Sequence, residues 1–406
     1  MNINLIVCYA NNLVIGNDKN DYNELFDEEY DYINYFSKII TEKSCSKKNI
    51  VIIGNKTYEN THIPLRNTLM ELVESNDIIL IVIKNITGIE KIYENGVYFV
   101  DSLGGCMDLC NELYNDSMNT IGNVFIAGGE SIYTYYLTSY YYKLLNKVYI
   151  TRIRKDIEGN KRFYGLEGKF YYKSINKKGD YIENRVLQYD HNFQNGEELY
   201  LNFMRESLKS YHKFGYNGLS RFFEMNIDLT KYFPVFSIFK TNISDILKKA
   251  FMSMMRESKI SNAINDIIHC IKGDKNNNVI LNLDDISPFY SIYTFSLAEN
   301  NLSCNVIHQK GNILNEVFIN IIFTSLLVHL LCHMNGYRDG NKTRLIPSLI
   351  NYKCLETTYN DSQIYFMETV AWNTPDVLSI IKIKDRKQEC LSDFIFEDIE
   401  LLGYDI

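Results

Sequence analysis

Three glycine-bearing segments could bring backbone amides close to a phosphate. The segments are LVIGND (13–18), IIGNKTYENT (52–61) and VFIAGGESIY (124–133), and they place Gly16, Gly54 and the pair Gly128 and Gly129 after apolar runs. Glycine has no side chain, so the backbone can approach a ligand closely, and the N-terminus of a following helix presents amides to an anion. The segments therefore predict a phosphate-binding edge, with plain turns as the alternative at Gly54 and at the glycine pair.

The cysteines and histidines do not form a metal-binding pattern. Nine cysteines lack the paired spacings of a zinc ribbon or a disulfide framework, which favours free thiols in a reducing compartment, the cytoplasm. His329, Cys332 and His333 share a helical stretch, but no acidic residue completes an HExxH motif, so we expect buried residues and no metal. Cys106 and Cys110 share a helical face and are interpreted as core residues.

The composition is typical of a globular protein with two or three domains. The chain has 406 residues, of which 46% are hydrophobic and 23% charged. A net charge of −8, without a clustered excess of Lys and Arg, argues against a nucleic-acid partner. The opening MNINLIVCYANN predicts a strand and not a leader peptide. The apolar run at 319–334 is short for a membrane span, so we expect a buried helix and no membrane partner.

The chemistry-bearing segments lie on two different arrangements of elements. Residues 1–191 alternate β-rich runs such as NIVIIG, DIILIVI and NVFIAGG with helical stretches, which predicts an α/β domain with a largely parallel sheet. The polar break NFQNG at 192–196 is interpreted as a short junction. A second arrangement of strands and long helices occupies residues 197–406.

The ordered glycine segments, together with KVYITRIRKDIEGNKRF (147–163), resemble dihydrofolate reductase over residues 1–191. The resemblance implies a site for NADPH and for folate. Its cofactor-binding residues would be Ile15, Gly16, Gly54, Lys56, Thr57, Gly128, Gly129 and Tyr133. Its substrate-binding residues would be Thr151, beside the catalytic carboxylate and the pterin, and Arg66, at the folate glutamate.

The reductase-like half departs from the family at its catalytic acid. The alignment places Tyr32 where the family has a buried Asp or Glu that helps to protonate the pterin before hydride transfer. A phenol with a pKa of about 10 is a poor substitute. Asp31 is the candidate acid, although one residue on a helix is about 100° of rotation, and a different register would bring in Glu28 or Asp27. Asn55 replaces an arginine for the 2′-phosphate.

The second half resembles thymidylate synthase. The matching segments are residues 197–236, ISPFYSIYTFSLAENNLSCNVIHQKGN (286–312), INIIFTSLLVHLL (319–331) and LSDFIFEDIELLGYD (391–405). The whole chain thus resembles a fused dihydrofolate reductase–thymidylate synthase, with an α/β reductase-like domain followed by a shortened α+β synthase-like domain. The resemblance implies that Asn320 reads uracil and that Tyr352 also binds substrate.

The synthase-like half has lost the residues that its chemistry needs. Phe289 occupies the position of the nucleophilic cysteine and cannot act as a nucleophile. Cys304 matches a non-nucleophilic position. The positions of the phosphate-binding arginines carry Lys213, Asn277 and Asn278, and Ile307-His308-Gln309-Lys310, and the partner histidine of Tyr352 is Ile350. Without guanidinium groups a dianion loses its bidentate contacts.

Three hypotheses follow. The favoured one is a pseudoenzyme with a structural or assembly role, forming a homodimer through the synthase-like domain or joining a larger assembly. The second is an active NADPH-dependent dihydrofolate reductase with an inert dimerisation domain. The third is a divergent bifunctional enzyme of dTMP synthesis. The candidate ligands are a folate or a nucleotide.

Overall fold

A computed structural model describes most of the chain. The described residues are 2–17, 31–42, 47–60, 63–84, 91–115, 121–164, 166, 170–190, 192–193, 195–214, 221–234, 236, 243–256, 262, 267, 278–283, 291–336, 345–358, 361–372, 379–384 and 394–402. The chain forms two compact units, Met1–Leu166 with Lys173–Phe193, and Glu167–Tyr172 with Gln194–Ile406.

The first unit contains a nine-stranded sheet. Its strands are β1 (Asn2–Ala10), β3 (Lys48–Gly54), β4 (Ile78–Ile83), β5 (Lys91–Glu94), β6 (Val97–Val100), β7 (Ile121–Ile126), β8 (Leu145–Ile153), β10 (Phe170–Lys178) and β11 (Ile182–Tyr189). The strand order is β10-β11-β8-β1-β7-β3-β4-β6-β5. The six strands from β8 to β6 in this order run parallel, whereas β11 and β5 are antiparallel to their neighbours. The predicted α/β domain with a largely parallel sheet is confirmed.

Helices and a small strand pair complete the first unit. They are β2 (Val14–Gly16), α1 (Tyr32–Thr41), α2 (Asn55–Asn60), α3 (Ile63–Glu74), α4 (Leu103–Asn115), α5 (Glu130–Thr138) and β9 (Lys161–Arg162), with β2 paired to β9. Helix α1 buries Tyr32, Phe36, Ile39 and Ile40, which recur at helical spacing on one face. Strand β1 is buried from Ile3 onwards, as expected where both faces of a parallel sheet are covered.

The second unit contains a mixed five-stranded sheet and long helices. Its elements are α6 (Gly196–Phe214), β12 (Arg221–Asp228), α7 (Ile243–Arg256), β13 (Asn278–Asn282), β14 (Ser291–Ala298), β15 (Asn301–Asn312), α8 (Phe318–Gly336), β16 (Ile346–Thr358), α9 (Asp361–Val370), β17 (Ile380–Ile383) and β18 (Ile399–Leu402). The order is β12-β16-β15-β14-β13, with β17 and β18 as a separate pair. Only β15 and β16 pair in parallel within this sheet, as far as the described strands go. The α+β expectation is confirmed.

Helix α8 is the central apolar element of the second unit. Within the described residues, the stretch Ile313–Met334 is long and apolar enough to cross a membrane by length and composition, and 89% of its 18-residue window is buried inside the protein. It packs against β15 and β16. Burial of this extent is what a core helix shows.

Candidate functional sites

A cleft lies at the carboxyl ends of the parallel strands in the first unit. Its volume is about 670 Å³, and it runs past Gly54 after β3, Ile83 at the end of β4, Asp101 after β6 and Gly128 after β7. The carboxyl ends of parallel strands are the usual place for a ligand in an open α/β sheet. The fold therefore places the glycine segments at one concave edge.

Two glycines approach each other closely at the centre of this edge. The Gly54 amide donates to the Gly128 carbonyl over 2.8 Å, and the peptide between Gly128 and Gly129 is cis. A Cβ on Gly129 would lie 2.8 Å from Thr57 Oγ1, which is closer than real side-chain contacts allow. Gly129 precedes α5 without a side-chain cap, so the helix N-terminus faces the cleft with backbone only.

Tyr133 holds α5 against the sheet. Its hydroxyl donates to the Ile6 carbonyl over 2.7 Å and is buried. Ile15 and Gly16 on β2 and the exposed Lys56 complete the set of cleft residues that the sequence suggested for a cofactor. The structure brings all eight of these predicted cofactor residues to one cleft.

Tyr32 forms part of the cleft wall at the position of the family's acid. The ring is 5% exposed and lies 5.8 Å from the Phe36 ring. Burial raises the pKa of the Tyr32 phenol well above its usual value, because the charged phenolate would lose its hydration. The group is therefore a neutral phenol at physiological pH.

Asp31 is not among the residues that line the cleft. It is the N-cap residue of α1, with a left-handed φ of 49°. Its carboxylate pairs with Lys178 and accepts a hydrogen bond of 2.5 Å from Asn34. The hydrogen bond from Lys178 lowers the pKa of Asp31. An ionised, ion-paired carboxylate is a poor proton donor. The alternative acids, Glu28 and Asp27, lie outside the described residues.

The two predicted folate-binding residues are also absent from the cleft lining. The buried Thr151 donates its hydroxyl proton to Asn184 Oδ1 over 2.9 Å, and not to a carboxylate. The exposed Arg66 places its guanidinium 5.1 Å from the centre of the Tyr58 ring.

The cleft contains charged residues that the sequence did not single out. Lys161 Nζ lies 3.5 Å from Glu130 Oε2, and Asp101 with Ser102 precedes α4 on the opposite side. The signal for Asp101 was its place directly after the β-rich run VYFV. Sequence order alone does not show that β6 lies next to β4. The position of Asp101 after a β-rich run was therefore not enough to place it in the cleft.

In the second unit, Asn320 is engaged by other core residues. The Tyr293 hydroxyl donates to Asn320 Oδ1 over 2.6 Å, and Asn320 Nδ2 donates to Ser291 Oγ over 2.6 Å. All three residues are fully buried. Burial raises the pKa of Tyr293 far above its usual value, which keeps it a proton donor. The amide that the resemblance assigns to uracil is thus bonded within the protein.

Tyr352 is bonded within the core in the same way. Its hydroxyl lies 2.5 Å from His308 Nδ1, and both side chains are fully buried. Burial lowers the pKa of His308 to about 4, because the imidazolium would be poorly solvated. The imidazole is therefore neutral at physiological pH and shares a hydrogen bond with the Tyr352 hydroxyl through Nδ1.

Several of the synthase-like positions named from the sequence lie among the described residues. Cys304 is fully buried, and burial raises the pKa of its thiol far above the usual value, so it stays protonated. Lys310 pairs with Glu356 over 2.7 Å, and Lys213 is exposed on α6. Phe289, Asn277 and Ser287 lie outside the described residues. No group of three or more His, Cys, Asp or Glu side chains is placed to hold a metal in the described part of the chain.

Comparisons with known proteins agree with this division. A family model described as dihydrofolate reductase matches residues 2–197. The thymidylate synthase of Mycoplasma pneumoniae is 26% identical over 120 residues, which is 30% of this chain and 38% of that protein. The thymidylate synthase of Vesicomyosocius okutanii subsp. Calyptogena okutanii is 29% identical over 119 residues, 29% of this chain and 42% of that protein. The chain therefore matches less than half the length of these relatives. Residues 2–197 thus match the dihydrofolate reductase family, and part of the chain is similar to thymidylate synthases.

Proposed function

We propose that this protein binds a nicotinamide dinucleotide in its reductase-like cleft, makes no dTMP, and uses its synthase-like domain as a structural and dimerisation element. The observation that carries this proposal is the internal bonding of Asn320. Both its amide oxygen and its amide nitrogen are bonded to core residues, Tyr293 and Ser291. Asn320 is fully buried, so a uracil ring would have to open this packed core to reach the amide, and each buried polar group left unpaired would cost about 1–3 kcal/mol.

The residues at and near the nucleophile position also disfavour dTMP synthesis. Thymidylate synthesis needs a thiolate that adds to the pyrimidine ring. Phe289 stands at the nucleophile position in the sequence, and the thiol of Cys304 is buried and protonated. Neither group supplies an electron pair to a substrate carbon.

The reductase-like cleft has features suited to binding a dinucleotide, but its described residues do not include the acid that dihydrofolate reduction needs at the position of Tyr32. The close approach of Gly129 to Thr57 leaves no room for a side chain at residue 129, so only backbone faces the cleft there. Asn55 Oδ1 is buried in the same cleft without a hydrogen-bond partner, as is expected of a group that meets a ligand. When bound, a reduced nicotinamide would supply a hydride. Tyr32 lines the cleft as a neutral phenol, because burial raises its pKa.

An active dihydrofolate reductase is the second candidate. The retained cleft of about 670 Å³, with its glycines and Thr57, favours it. In that case a water molecule would deliver the proton that the family takes from its carboxylic acid.

Dimerisation is proposed to use the open face of the five-stranded sheet. Residues that alternate with the buried core positions are exposed and apolar on this face, namely Phe222, Ile280, Ile307, Leu349 and Leu355. Polar pairs lie among them, including Lys353 with Glu224 at 3.0 Å. Such a mixture is typical of a protein interface. We place the dimer in the cytoplasm, following the free, buried thiols.

Dimerisation is tested by sedimentation of the purified chain at micromolar concentration. We expect a dimer that Ile307→Glu or Leu355→Glu converts to a monomer, since a charge would be desolvated at the interface. Tyr365→Glu is the matched control, because Tyr365 is exposed on α9 and not on the sheet. A wild-type monomer would refute the dimerisation role.

The activity proposal is tested on the same full-length protein. We expect saturable binding of a reduced nicotinamide dinucleotide, followed by its fluorescence, and no dTMP from dUMP with methylene-tetrahydrofolate. Formation of dTMP would refute the proposal and favour the bifunctional enzyme. Dihydrofolate-dependent oxidation of the dinucleotide would instead favour the second candidate.

A further inference from the structure

Asp101 occupies one end of the reductase-like cleft. It follows β6 directly and precedes Ser102, whose hydroxyl accepts from the Gly105 amide over 3.1 Å at the start of α4. Asp101 is exposed and lines the cleft. A Cβ on Gly105 would lie 3.3 Å from Asp101 Oδ1, so the carboxylate rests against the first turn of α4. That position favours a negative charge.

The carboxyl ends of β3, β4 and β6 define the direction in which a dinucleotide would lie in the cleft. Gly54 pairs with Ile83, and Ile83 pairs with Val100, so the residues after β3, β4 and β6 form a row. With strands about 4.8 Å apart, Asp101 lies about 10 Å along this row from Gly54. Tyr32 packs in one cluster with Cys8 of β1, and β2, which carries Ile15, contacts β1. Strand β1 lies on the other side of β3 from β4 and β6, so these residues mark the opposite end of the cleft, where the reacting ring belongs under the proposed function. The adenosine half therefore extends towards Asp101.

The row offers hydrogen-bond acceptors where the adenosine ribose would lie. Asn55 Oδ1 is buried in the cleft without a partner, and Asp101 contributes two carboxylate oxygens. Ribose hydroxyls can donate to the exposed Asp101 carboxylate. A 2′-phosphate dianion offers only acceptors and would repel the carboxylate. Lys56 is the cation nearest in sequence to Asn55, and a flexible lysine does not match the geometry of a phosphate as an arginine fork does.

We propose that Asp101 makes the cleft select NADH over NADPH, by accepting hydrogen bonds from the adenosine ribose and repelling a 2′-phosphate. An acidic residue at a strand end has this role in other dinucleotide-binding sheets. The inference rests on the proposed dinucleotide binding and adds the choice between the two dinucleotides.

The test compares dissociation constants of NADH and NADPH for the full chain, measured by nicotinamide fluorescence at fixed ionic strength. We expect the wild type to bind NADH at least about tenfold more tightly, since each tenfold step needs only about 1.4 kcal/mol. Asp101→Asn should remove most of this difference, and Asp101→Arg should reverse it. Asp108→Asn is the matched control, because Asp108 is exposed on α4, lies outside the cleft lining and changes the net charge equally.

The outcomes separate this inference from the proposed function. Binding of both dinucleotides with equal affinity, or tighter binding of NADPH, would overturn the role of Asp101 and leave dinucleotide binding standing. The same holds if Asp101→Asn and Asp108→Asn shift the affinity ratio alike. Binding of neither dinucleotide would overturn both the inference and the proposed function.

Discussion

The Tyr293 phenol donates a 2.6 Å hydrogen bond to the amide oxygen of Asn320, and both side chains are fully buried. The two residues lie on β14 and α8, so the bond joins the sheet of the second unit to its central helix. In the family that this unit resembles, an asparagine here would read a base. In this chain the same amide is hydrogen-bonded to two buried residues, Tyr293 and Ser291.

Asn320→Ala is therefore expected to lower stability. The change removes two buried hydrogen bonds, to the Tyr293 and Ser291 hydroxyls, and we expect a loss of about 1–3 kcal/mol. The measurement is the midpoint of urea unfolding, followed by the fluorescence of Trp372, the one tryptophan of the sequence, which lies in the second unit. Asn351→Ala is the control, since Asn351 donates to Asn305 over 2.6 Å at an exposed position. Equal losses in both variants would contradict a core role for Asn320.

Gly129→Ala is expected to abolish dinucleotide binding. The new Cβ would lie 2.8 Å from Thr57 Oγ1, so either the glycine corner or α2 must move. Combining it with Thr57→Ser leaves the clash in place, whereas combining it with Thr57→Ala removes the clashing atom and should restore the thermal midpoint. Gly104→Ala is the matched control, because a Cβ there has nothing within 4 Å. Calorimetric titration with NADH and NADPH reports binding, and retention of full affinity in Gly129→Ala would refute the close approach.

The sequence predicted the fold well and the site less completely, for physical reasons. Gly54 and Gly128 could be placed at one edge because parallel strands share the orientation of their carboxyl ends. Asp31 could not be placed, because a one-residue step on a helix decides which side a carboxylate faces. Asp101 was missed because β5 intervenes between β4 and β6 in the chain but not in the sheet. The internal bonding of Asn320 depends on contacts between β14 and α8, which residue types alone do not define.

The buried imidazole of His308 predicts a pH dependence of stability. Burial lowers its pKa in the folded protein to about 4, below the value of about 6.5 expected in the unfolded chain. Between these values the unfolded state binds more protons, so stability falls as pH decreases from about 6.5 to about 4 and then levels off. His308 contributes a loss of up to about 3 kcal/mol over this window.

His308→Gln tests this pH dependence. The glutamine cannot become charged, so the slope of unfolding free energy against pH should decrease between about pH 4 and 6.5. Some slope should persist, because burial also lowers the pKa of His329 to about 3. His212→Gln serves as the control, since His212 is exposed and lies 3.3 Å from Glu368. An unchanged slope in His308→Gln would show that His308 is not buried as a neutral base.

Tyr32→Glu is expected to create dihydrofolate reduction or to increase it. The Tyr32 side chain lies in the cleft wall and is 5% exposed, so a carboxylic acid there would have a raised pKa and could donate a proton to a bound pterin. General acid catalysis is worth on the order of 100-fold or more in rate, and we expect a gain of that order in kcat with either reduced dinucleotide. Tyr32→Phe, which adds no acid, should not show the gain.

Asp31→Asn should change the rate by less than about twofold, because the Asp31 carboxylate is ion-paired with Lys178 away from the cleft lining. Loss of an existing reductase activity in Asp31→Asn, with Tyr32→Phe unaffected, would instead identify Asp31 as the acid.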